Sequence, residues 1–285
     1  MKLEFLGTGG ATVIPRPLCS CRVCAEARDK GVPYSRTGPG LFVHGPDLLI
    51  DTSEDISIQL NRSQVKSIKG VIYSHWHPDH VMGRRVLESM NADWVNYPPK
   101  HTSTDVYLPE QVTIDFKERL GSADHLNFFS YMGFIEQHEL KDGDTISLNG
   151  YDIYPFRLAE DYVYAFLVTE GEKRVLIEPD ELNGWQPDDS MKGVDLAVLP
   201  MGLAEYHPLT GERVFAEDHP VLKLEATFKE TLAIIKKLQP KRTILTHVEE
   251  IDGLSYDDLK EVEKQLKADG LDIEFAYDTM VVEVK

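Results

Sequence analysis

The segment Ser74-His75-Trp76-His77-Pro78-Asp79-His80 limits what this chain can fold into more than any other part of its sequence. It places three imidazoles and a carboxylate within six residues, directly after an apolar run that begins at Gly70. Such a run predicts a strand, whose end can hold side chains in a fixed geometry. Imidazole and carboxylate groups are good ligands for zinc, iron and manganese. We therefore expect a metal site here, rather than a polar loop with histidines placed by chance.

The composition of the chain bounds the class of protein. Its 285 residues suffice for one large domain or two small ones, and 42% of them are hydrophobic, as in ordinary globular proteins. No segment approaches the roughly 20 apolar residues that are needed to cross a bilayer. The N-terminal segment becomes glycine-rich before any apolar signal sequence develops. We therefore expect a cytoplasmic protein with no membrane partner.

The net charge of −18 predicts an acidic surface. Such a surface repels the phosphate backbone of nucleic acids unless a local basic patch reverses the field, and we find no cluster of lysine and arginine that would do so. We therefore expect a small-molecule substrate and no nucleic-acid partner. A homodimer and a monomer both stay open.

Short apolar runs and helical periodicities alternate along both halves of the chain. Strands are expected over residues 2–6, 41–43, 48–51, 70–74, 152–156, 164–169, 174–178, 196–199 and 243–246. Helices are expected over residues 82–90 and 226–238, and after Ser255, which would cap the last helix. Because no linker or repeat divides the chain, we expect one domain over residues 1–285, with two sheets packed face to face and helices outside.

The histidine cluster matches the pattern H-x-H-x-D-H, and with it the chain resembles the metallo-β-lactamase superfamily. The resemblance implies an α/β fold, a four-layer αββα sandwich, which agrees with the expected order of strands and helices. It also implies two divalent transition metals in the active site, zinc or else manganese or iron. By position, His75 and His77 would bind the first metal, and Asp79 and His80 the second.

The resemblance implies further ligands later in the chain. The superfamily's metal-bridging aspartate ends a strand, as Asp180 does, and its late histidine follows an apolar strand, as His247 does. A surface aspartate and a chance histidine are the alternatives. The third histidine of the first metal site is missing, and Glu160, or else Asp161, stands nearest its expected position. A carboxylate there would favour manganese or iron, and an empty first site is the other alternative.

The N-terminus narrows the resemblance. The turn at residues 5–10 and the motif Cys19-Ser20-Cys21-Arg22-Val23-Cys24 are similar to those of the phosphoribosyl cyclic phosphodiesterase branch, the PhnP-like proteins. That branch carries a structural zinc in an N-terminal loop, expected here at about residues 17–31. Cys19, Cys21 and Cys24 would hold it, and Glu250 stands where the branch has a histidine as fourth ligand. Buried or free cysteines are the alternative.

The same branch suggests candidates for contact with substrate. Glu225 stands where the branch often has a histidine that contacts the substrate phosphate, and a glutamate there would repel that phosphate. His219 and His207 are the nearest candidates for a catalytic imidazole, and Asp79 could orient the attacking group as well as bind metal. Arg36 in Ser35-Arg36-Thr37 is a candidate phosphate contact.

These features predict a metal-dependent hydrolase, acting through a metal-bound hydroxide on a small phosphate ester, cyclic or linear. The first alternative keeps the same core and hydrolyses a lactone, thioester or other acyl bond. The second is a metal-binding member without catalytic activity, which the missing histidine leaves open. Processing of tRNA is disfavoured by the acidic charge.

Overall fold

Two sheets of seven strands each form the centre of the computed structural model, which describes residues 1–121 and 123–285. In spatial order, the first sheet contains β14 (Val281–Glu283), β1 (Lys2–Gly7), β2 (Gly40–His44), β3 (Leu48–Ile50), β4 (Gly70–Ile72), β5 (Thr104–Pro109) and β6 (Ile135–Leu140). The second contains β13 (Ile273–Phe275), β12 (Thr243–Thr246), β11 (Leu196–Pro200), β10 (Lys173–Ile177), β9 (Tyr164–Glu170), β8 (Tyr151–Arg157) and β7 (Ile146–Leu148).

Helices cover the outer faces of both sheets. They are α1 (Arg22–Lys30), α2 (Ile56–Arg62), α3 (Pro78–Val81), α4 (Val86–Asn91), α5 (Glu110–Glu118), α6 (Ala123–Tyr131), α7 (Phe228–Leu238) and α8 (Tyr256–Ala268). Turns of 3₁₀-helix lie at Met82–Arg85, Asp189–Met191, Pro220–Lys223 and Glu250–Asp252. Across residues 1–121 and 123–285, no helix combines the length and the apolar character that crossing a bilayer requires.

Successive side chains of the strands in the second sheet point into two different hydrophobic cores. In β10, Val175 and Ile177 belong to the core that both sheets share, whereas Leu176 belongs to the core beneath α7 and α8. This is the period-two pattern of a strand that is buried on both faces. On the other side, Phe116 of α5 and Phe129 of α6 pack on the first sheet. The predicted four-layer αββα sandwich is therefore confirmed.

The parallel strands bring several strand ends to one edge of the sandwich. In the first sheet β3 runs parallel to β4, and in the second β10, β11 and β12 are mutually parallel. The carboxyl ends of parallel strands lie at the same edge of a sheet. The backbone N–H of Tyr164 in β9 donates to the carbonyl of Ser74, over 3.0 Å, and ties the two sheets together beside that edge.

Each strand predicted from the sequence is present, with ends shifted by at most two residues. The predicted helix over 82–90 is instead a 3₁₀ turn followed by α4, because Gly83 packs its backbone against Ser53, where a Cβ would lie 1.9 Å from the Ser53 carbonyl oxygen. The cysteine segment, expected as a loop, contains α1, whose N-terminus is capped by the Cys21 sulfur.

Candidate metal centre

Two groups of ligand atoms lie at the edge where the strand ends meet. Within each group, one ligand atom from every member lies within 4.8 Å of the others. The first group is His75, His77 and Asp180, and the second is Asp79, His80 and His247. The structure thus brings together six of the predicted metal ligands. Four of them come from the histidine cluster, one follows β10 and one follows β12.

Asp180 stands between the two groups. Its Oδ2 lies 3.6 Å from Nε2 of His75 and 3.7 Å from Nε2 of His80, and its Oδ1 lies 3.6 Å from Nε2 of His247. Oδ2 therefore faces one imidazole of each group, and Oδ1 faces a second imidazole of the second group. This is the placement that a carboxylate shared by two cations requires.

A second layer of hydrogen bonds fixes the rings of His75 and His80. Nδ1 of His80 lies 2.8 Å from Oδ2 of Asp51, which has no hydrogen to donate, so the ring donates there. The Ser74 hydroxyl donates its single hydrogen to the same oxygen over 2.7 Å, and must therefore accept from Nδ1 of His75, 2.9 Å away. In its neutral form, each ring has an unprotonated Nε2 that can bind metal.

The unpaired nitrogens show that these residues fit a metal. Nε2 of His75, His80 and His247 is buried in each case and has no hydrogen-bond partner in the described part of the chain. A buried polar atom without a partner costs about 1–3 kcal/mol. Three such atoms, all facing Asp180, are explained by cations that the side chains would ligate. Imidazole and carboxylate together suit zinc, manganese or iron.

Charges within the centre shift its protonation equilibria. Burial lowers the pKa of the His75 imidazole well below its usual value. Burial opposes ionisation of Asp79, but His80 and His247 outweigh it and hold the Asp79 pKa well below its usual range. Burial likewise lowers the pKa of His247, but Asp180 and Asp79 outweigh it and raise that pKa to about 9. A cation that binds here must therefore displace protons from imidazoles.

The backbone is strained at three positions around the centre. Asp51, Glu181 and His247 have positive φ angles of 62°, 53° and 55°, which non-glycine residues rarely adopt. The glycine-rich turn passes close by, because a Cβ on Gly10 would lie 2.3 Å from Cε1 of His247. The early glycine motif therefore makes room for the late histidine.

Tyr162 lies where the first group lacks an imidazole. Its ring centroid is 5.6 Å from that of His77 and 6.3 Å from that of His75. The structure does not place Glu160 or Asp161 within the ligand group of these histidines. Glu160 is near enough to help raise the pKa of Tyr162, behind the larger effect of burial, and Asp161 is exposed. The first group therefore has three protein ligands, and the aromatic ring of Tyr162 lies beside its two histidines.

A small pocket adjoins the second ligand group. Its charged and imidazole side chains are Asp180, Glu181, Glu225, His247, Glu249 and Asp252. Glu225, predicted to contact substrate, stands at its rim, where lost solvation and the charge of Asp180 raise its pKa to about 7. Burial and Asp180 raise the pKa of Glu181 to about 8. The structure therefore places Glu225 beside the second ligand group, in the pocket that His247 also lines.

His207 and His219 do not belong to this site, contrary to the expectation that they are catalytic. Nδ1 of His207 accepts the backbone N–H groups of Leu209 and Thr210, each over 3.3 Å, and so stabilises a local turn. Nδ1 of His219 caps an exposed 3₁₀ turn by accepting from Val221. Neither ring lines the pocket. Both imidazoles stabilise the backbone of their own loop.

Arg36 is also placed away from substrate, so its predicted phosphate contact is wrong. It is 2% exposed, and its Nη1 donates to Thr8 Oγ1 over 2.9 Å and to the carbonyl oxygen of Ala276 over 2.6 Å. Burial lowers its pKa to about 10. The guanidinium joins the N-terminal turn to the end of the chain and reaches no pocket residue.

The three cysteines and Glu250 form a second candidate metal site. Their ligand atoms lie within 4.8 Å of one another, and Oε1 of Glu250 lies 3.1 Å from the Cys19 sulfur and 3.2 Å from the Cys21 sulfur. Arg16 binds the other carboxylate oxygen of Glu250 over 3.1 Å. Three thiolates and one carboxylate oxygen supply the four ligands of a structural zinc. The geometry thus fits the predicted role of Glu250.

Three residues that shape the centre are not among the candidates from the sequence: Asp51, Glu181 and Tyr162. Asp51 directly follows the apolar strand β3, and a place after an apolar run is also what makes Asp180 a candidate. Glu181 adjoins Asp180 and has no separate signal in the sequence. Tyr162 carries no pattern of its own, because its position depends on how β9 approaches the histidine segment. Only Asp51 could have been found from the sequence.

Residues 47–248 of the chain match the family described as Beta-lactamase superfamily domain. Two crystal structures share the fold over nearly the whole chain. One is a diphosphatase from the PhnP family, 24% identical, covering 100% of this chain and 98% of that one with a TM-score of 0.70. The other is zinc-bound PqqB from Methylobacterium extorquens, 13% identical, covering 99% and 100% with a TM-score of 0.71.

One curated relative is an octanoyltransferase from Porphyromonas gingivalis, which is 26% identical over 159 residues. The alignment covers 55% of this chain and 30% of that protein. The chain therefore matches less than a third of the length of this relative, and the likeness concerns a part of it.

The first prediction concerns the shared carboxylate. We expect His77→Ala to release the metal of the first group alone, and Asp180→Ala to weaken binding at both groups by at least roughly 10-fold, since Asp180 faces both. Metal content after dialysis, measured by mass spectrometry, checks this. His219→Ala is the control and should keep the full content. Loss of a single metal in Asp180→Ala would show that the carboxylate is not shared.

The second prediction concerns the cysteine site. Cys21→Ala should release one zinc and leave the centre loaded, because Cys21 belongs to the ligand group with Glu250 and to no other. Losing a bound ion also removes its stabilisation, so we expect Tm to fall by roughly 5–10 °C. Ser20→Ala, an exposed change in the same segment, is the control. An unchanged Tm and zinc content would contradict the structural role.

Proposed function

Because the chain belongs to the metallo-β-lactamase superfamily of metal-dependent hydrolases, we propose that it is a phosphodiesterase acting on a small phosphate ester, cyclic or linear. The observation that carries the proposal is Asp180, whose two oxygens face the two ligand groups. A pair of cations held by these groups would suit in-line attack on phosphorus. The shared fold with a PhnP-family diphosphatase supports this choice of bond.

We propose that the cofactors are two divalent transition metals, zinc or else manganese or iron, and a structural zinc at the cysteine site. His75, His77 and Asp180 would hold the first, Asp79, His80, His247 and Asp180 the second. When bound, such a pair lowers the pKa of water and polarises a phosphoryl oxygen. The second group has one more ligand, so we expect it to bind its metal more tightly.

The residues of this chain would orient the reaction. Asp51 and Ser74 hold His80 and His75 with Nε2 facing inward, which keeps the ligand geometry fixed before substrate arrives. The ring of Tyr162 would form one wall of the site beside the first group. Half-buried Tyr162 and Trp76 restrict the access of water to His77.

The pocket favours a small substrate. No lysine or arginine is among its lining residues in the described chain, so nothing there would hold a polynucleotide backbone. The space beside the second ligand group is narrow, which keeps bulky groups out of it. These features support a low-molecular-weight ester as substrate.

An acyl hydrolase is the second candidate. The carboxyl groups of Glu181 and Glu225 disfavour the negative charge of a phosphodiester, and a lactone or thioester carries no such charge. The partial likeness to an octanoyltransferase, whose name describes an acyl substrate, is the specific observation in its favour. The same cation pair would serve either bond, so substrate assays decide between them.

The third prediction tests the proposed activity. Protein loaded with zinc or manganese should hydrolyse bis-p-nitrophenyl phosphate faster than γ-butyrolactone or an acyl thioester. His77→Ala should lower kcat/KM for the diester by at least roughly 100-fold, because one cation of the pair is lost. His219→Ala should keep the wild-type rate. Hydrolysis of the acyl substrates alone would favour the second candidate, and no turnover by the loaded protein would indicate a non-catalytic role.

A further inference from the structure

A groove lies at the edge of the first sheet that is opposite the metal centre. It runs between residues 65–69 and residues 102–104, which lead into β4 and β5, whereas His75 lies beyond the other end of β4. We call it the lysine groove. Its volume is about 500 Å³, within the roughly 300–1,000 Å³ of small-molecule sites. The groove is therefore large enough for a ligand and is separate from the proposed active site.

Four aliphatic side chains form the floor of the lysine groove. Leu60, Val65, Ile68 and Met90 pack against the core that both sheets share, but each of them is only partly buried. All four line the same cavity, so their uncovered surfaces adjoin there. Covering such surface removes it from water and is favourable. No aromatic residue lines the groove within residues 1–121 and 123–285, so the floor suits an aliphatic chain rather than a stacked base.

Hydrogen bonds hold both walls of the lysine groove in place. In one wall, the Ser67 hydroxyl donates to the Asp47 carboxylate over 2.9 Å. In the other, the buried Asn91 amide donates to the Thr104 hydroxyl over 3.0 Å and accepts the Thr102 hydroxyl over 2.8 Å. Because these bonds lie within the protein, the groove is formed before a ligand arrives, and binding does not have to order its walls.

The lysine groove is basic, although the protein as a whole is acidic. Lys66 and Lys69 line it, and no aspartate or glutamate does so in the described part of the chain. Both side chains are exposed, and neither forms an ion pair with a described residue. In the whole sequence, 48 acidic residues outnumber 30 lysines and arginines, so this local balance is the reverse of the average. The charge of the groove therefore complements an anion.

We propose that the lysine groove is a second ligand site, and that it binds a free aliphatic anion of medium chain length, with the chain on the aliphatic floor and the anionic head at Lys66 and Lys69. The net charge of −18 repels an anionic bilayer and a second copy of this chain, whereas a small ligand with one charge meets far less repulsion. The inference goes beyond the proposed phosphodiesterase function and does not depend on it.

Matched ligands test the site by calorimetry on the metal-loaded protein. Octanoate has both the chain and the carboxylate, 1-octanol has the chain alone, and acetate has the carboxylate alone. We expect octanoate to bind at least roughly five-fold more tightly than 1-octanol, because exposed lysines each contribute a modest attraction, and acetate to show no measurable binding. Octanoate that binds no better than 1-octanol would overturn the proposal.

Two variants separate the charge of the groove from its floor. Lys69→Gln should weaken octanoate by roughly three-fold or more and leave 1-octanol unchanged. Met90→Gln, which keeps the size of the side chain but makes it polar, should weaken both ligands by roughly three-fold or more. Lys267→Gln, at an exposed lysine of α8 outside the groove, is the control and should keep both affinities. Octanoate bound equally by all three variants would show that it does not occupy this groove.

Other occupants of the groove give different results. Binding to phosphatidylglycerol vesicles without binding to octanoate would assign the groove to a membrane surface. A dimer that Met90→Gln dissociates, measured by sedimentation, would assign it to a second copy of the chain. Octanoate binding that disappears when the metals are removed would place the carboxylate at the metal centre. Each of these results would overturn the proposal.

Discussion

The contact of Asp180 with imidazoles from both ligand groups is the interaction on which the rest of the site depends. His75 follows β4 in the first sheet, whereas Asp180 and His247 follow β10 and β12 in the second. These ends meet only if the two sheets pack with their parallel strands directed toward one edge. The four-layer sandwich supplies that arrangement, and the hydrogen bond from Tyr164 to Ser74 holds the sheets together beside it.

Around this contact, the free-energy cost of strained backbone is offset by the interactions of the surrounding structure. Asp51 adopts a positive φ so that its carboxylate can reach Ser74 and His80 together. His247 is strained in the same way, and Gly10 leaves room for its ring. Strained backbone of this kind persists only where many neighbours fix it. The centre is therefore held in position before a cation or a substrate arrives.

The sequence predicts the parts of the site that are local in the chain or that end a strand. His75 to His80 lie within six residues of the chain, and Asp180 and His247 follow apolar runs, so their convergence could be expected. The places of Arg36 and His219 could not be predicted from the sequence. The Arg36 guanidinium is buried against Ala276, far away in the chain, and the His219 imidazole caps its own turn instead of reaching the site. The place of Tyr162 likewise depends on contacts that no sequence pattern shows. The fold is easier to predict, because strands that are buried on both faces appear in the sequence as continuous apolar runs.

Charge connects the centre with the composition of the chain. Two divalent cations held by Asp79 and Asp180 would leave the floor of the site positive, and burial beside Asp180 raises the pKa values of the adjoining Glu181 and Glu225. A positive floor attracts an anionic ester. The net charge of −18 acts at longer range and repels a polyanion. A small ester with a single negative charge therefore meets less repulsion at the surface than a polynucleotide does, and it reaches the same attraction at the metals.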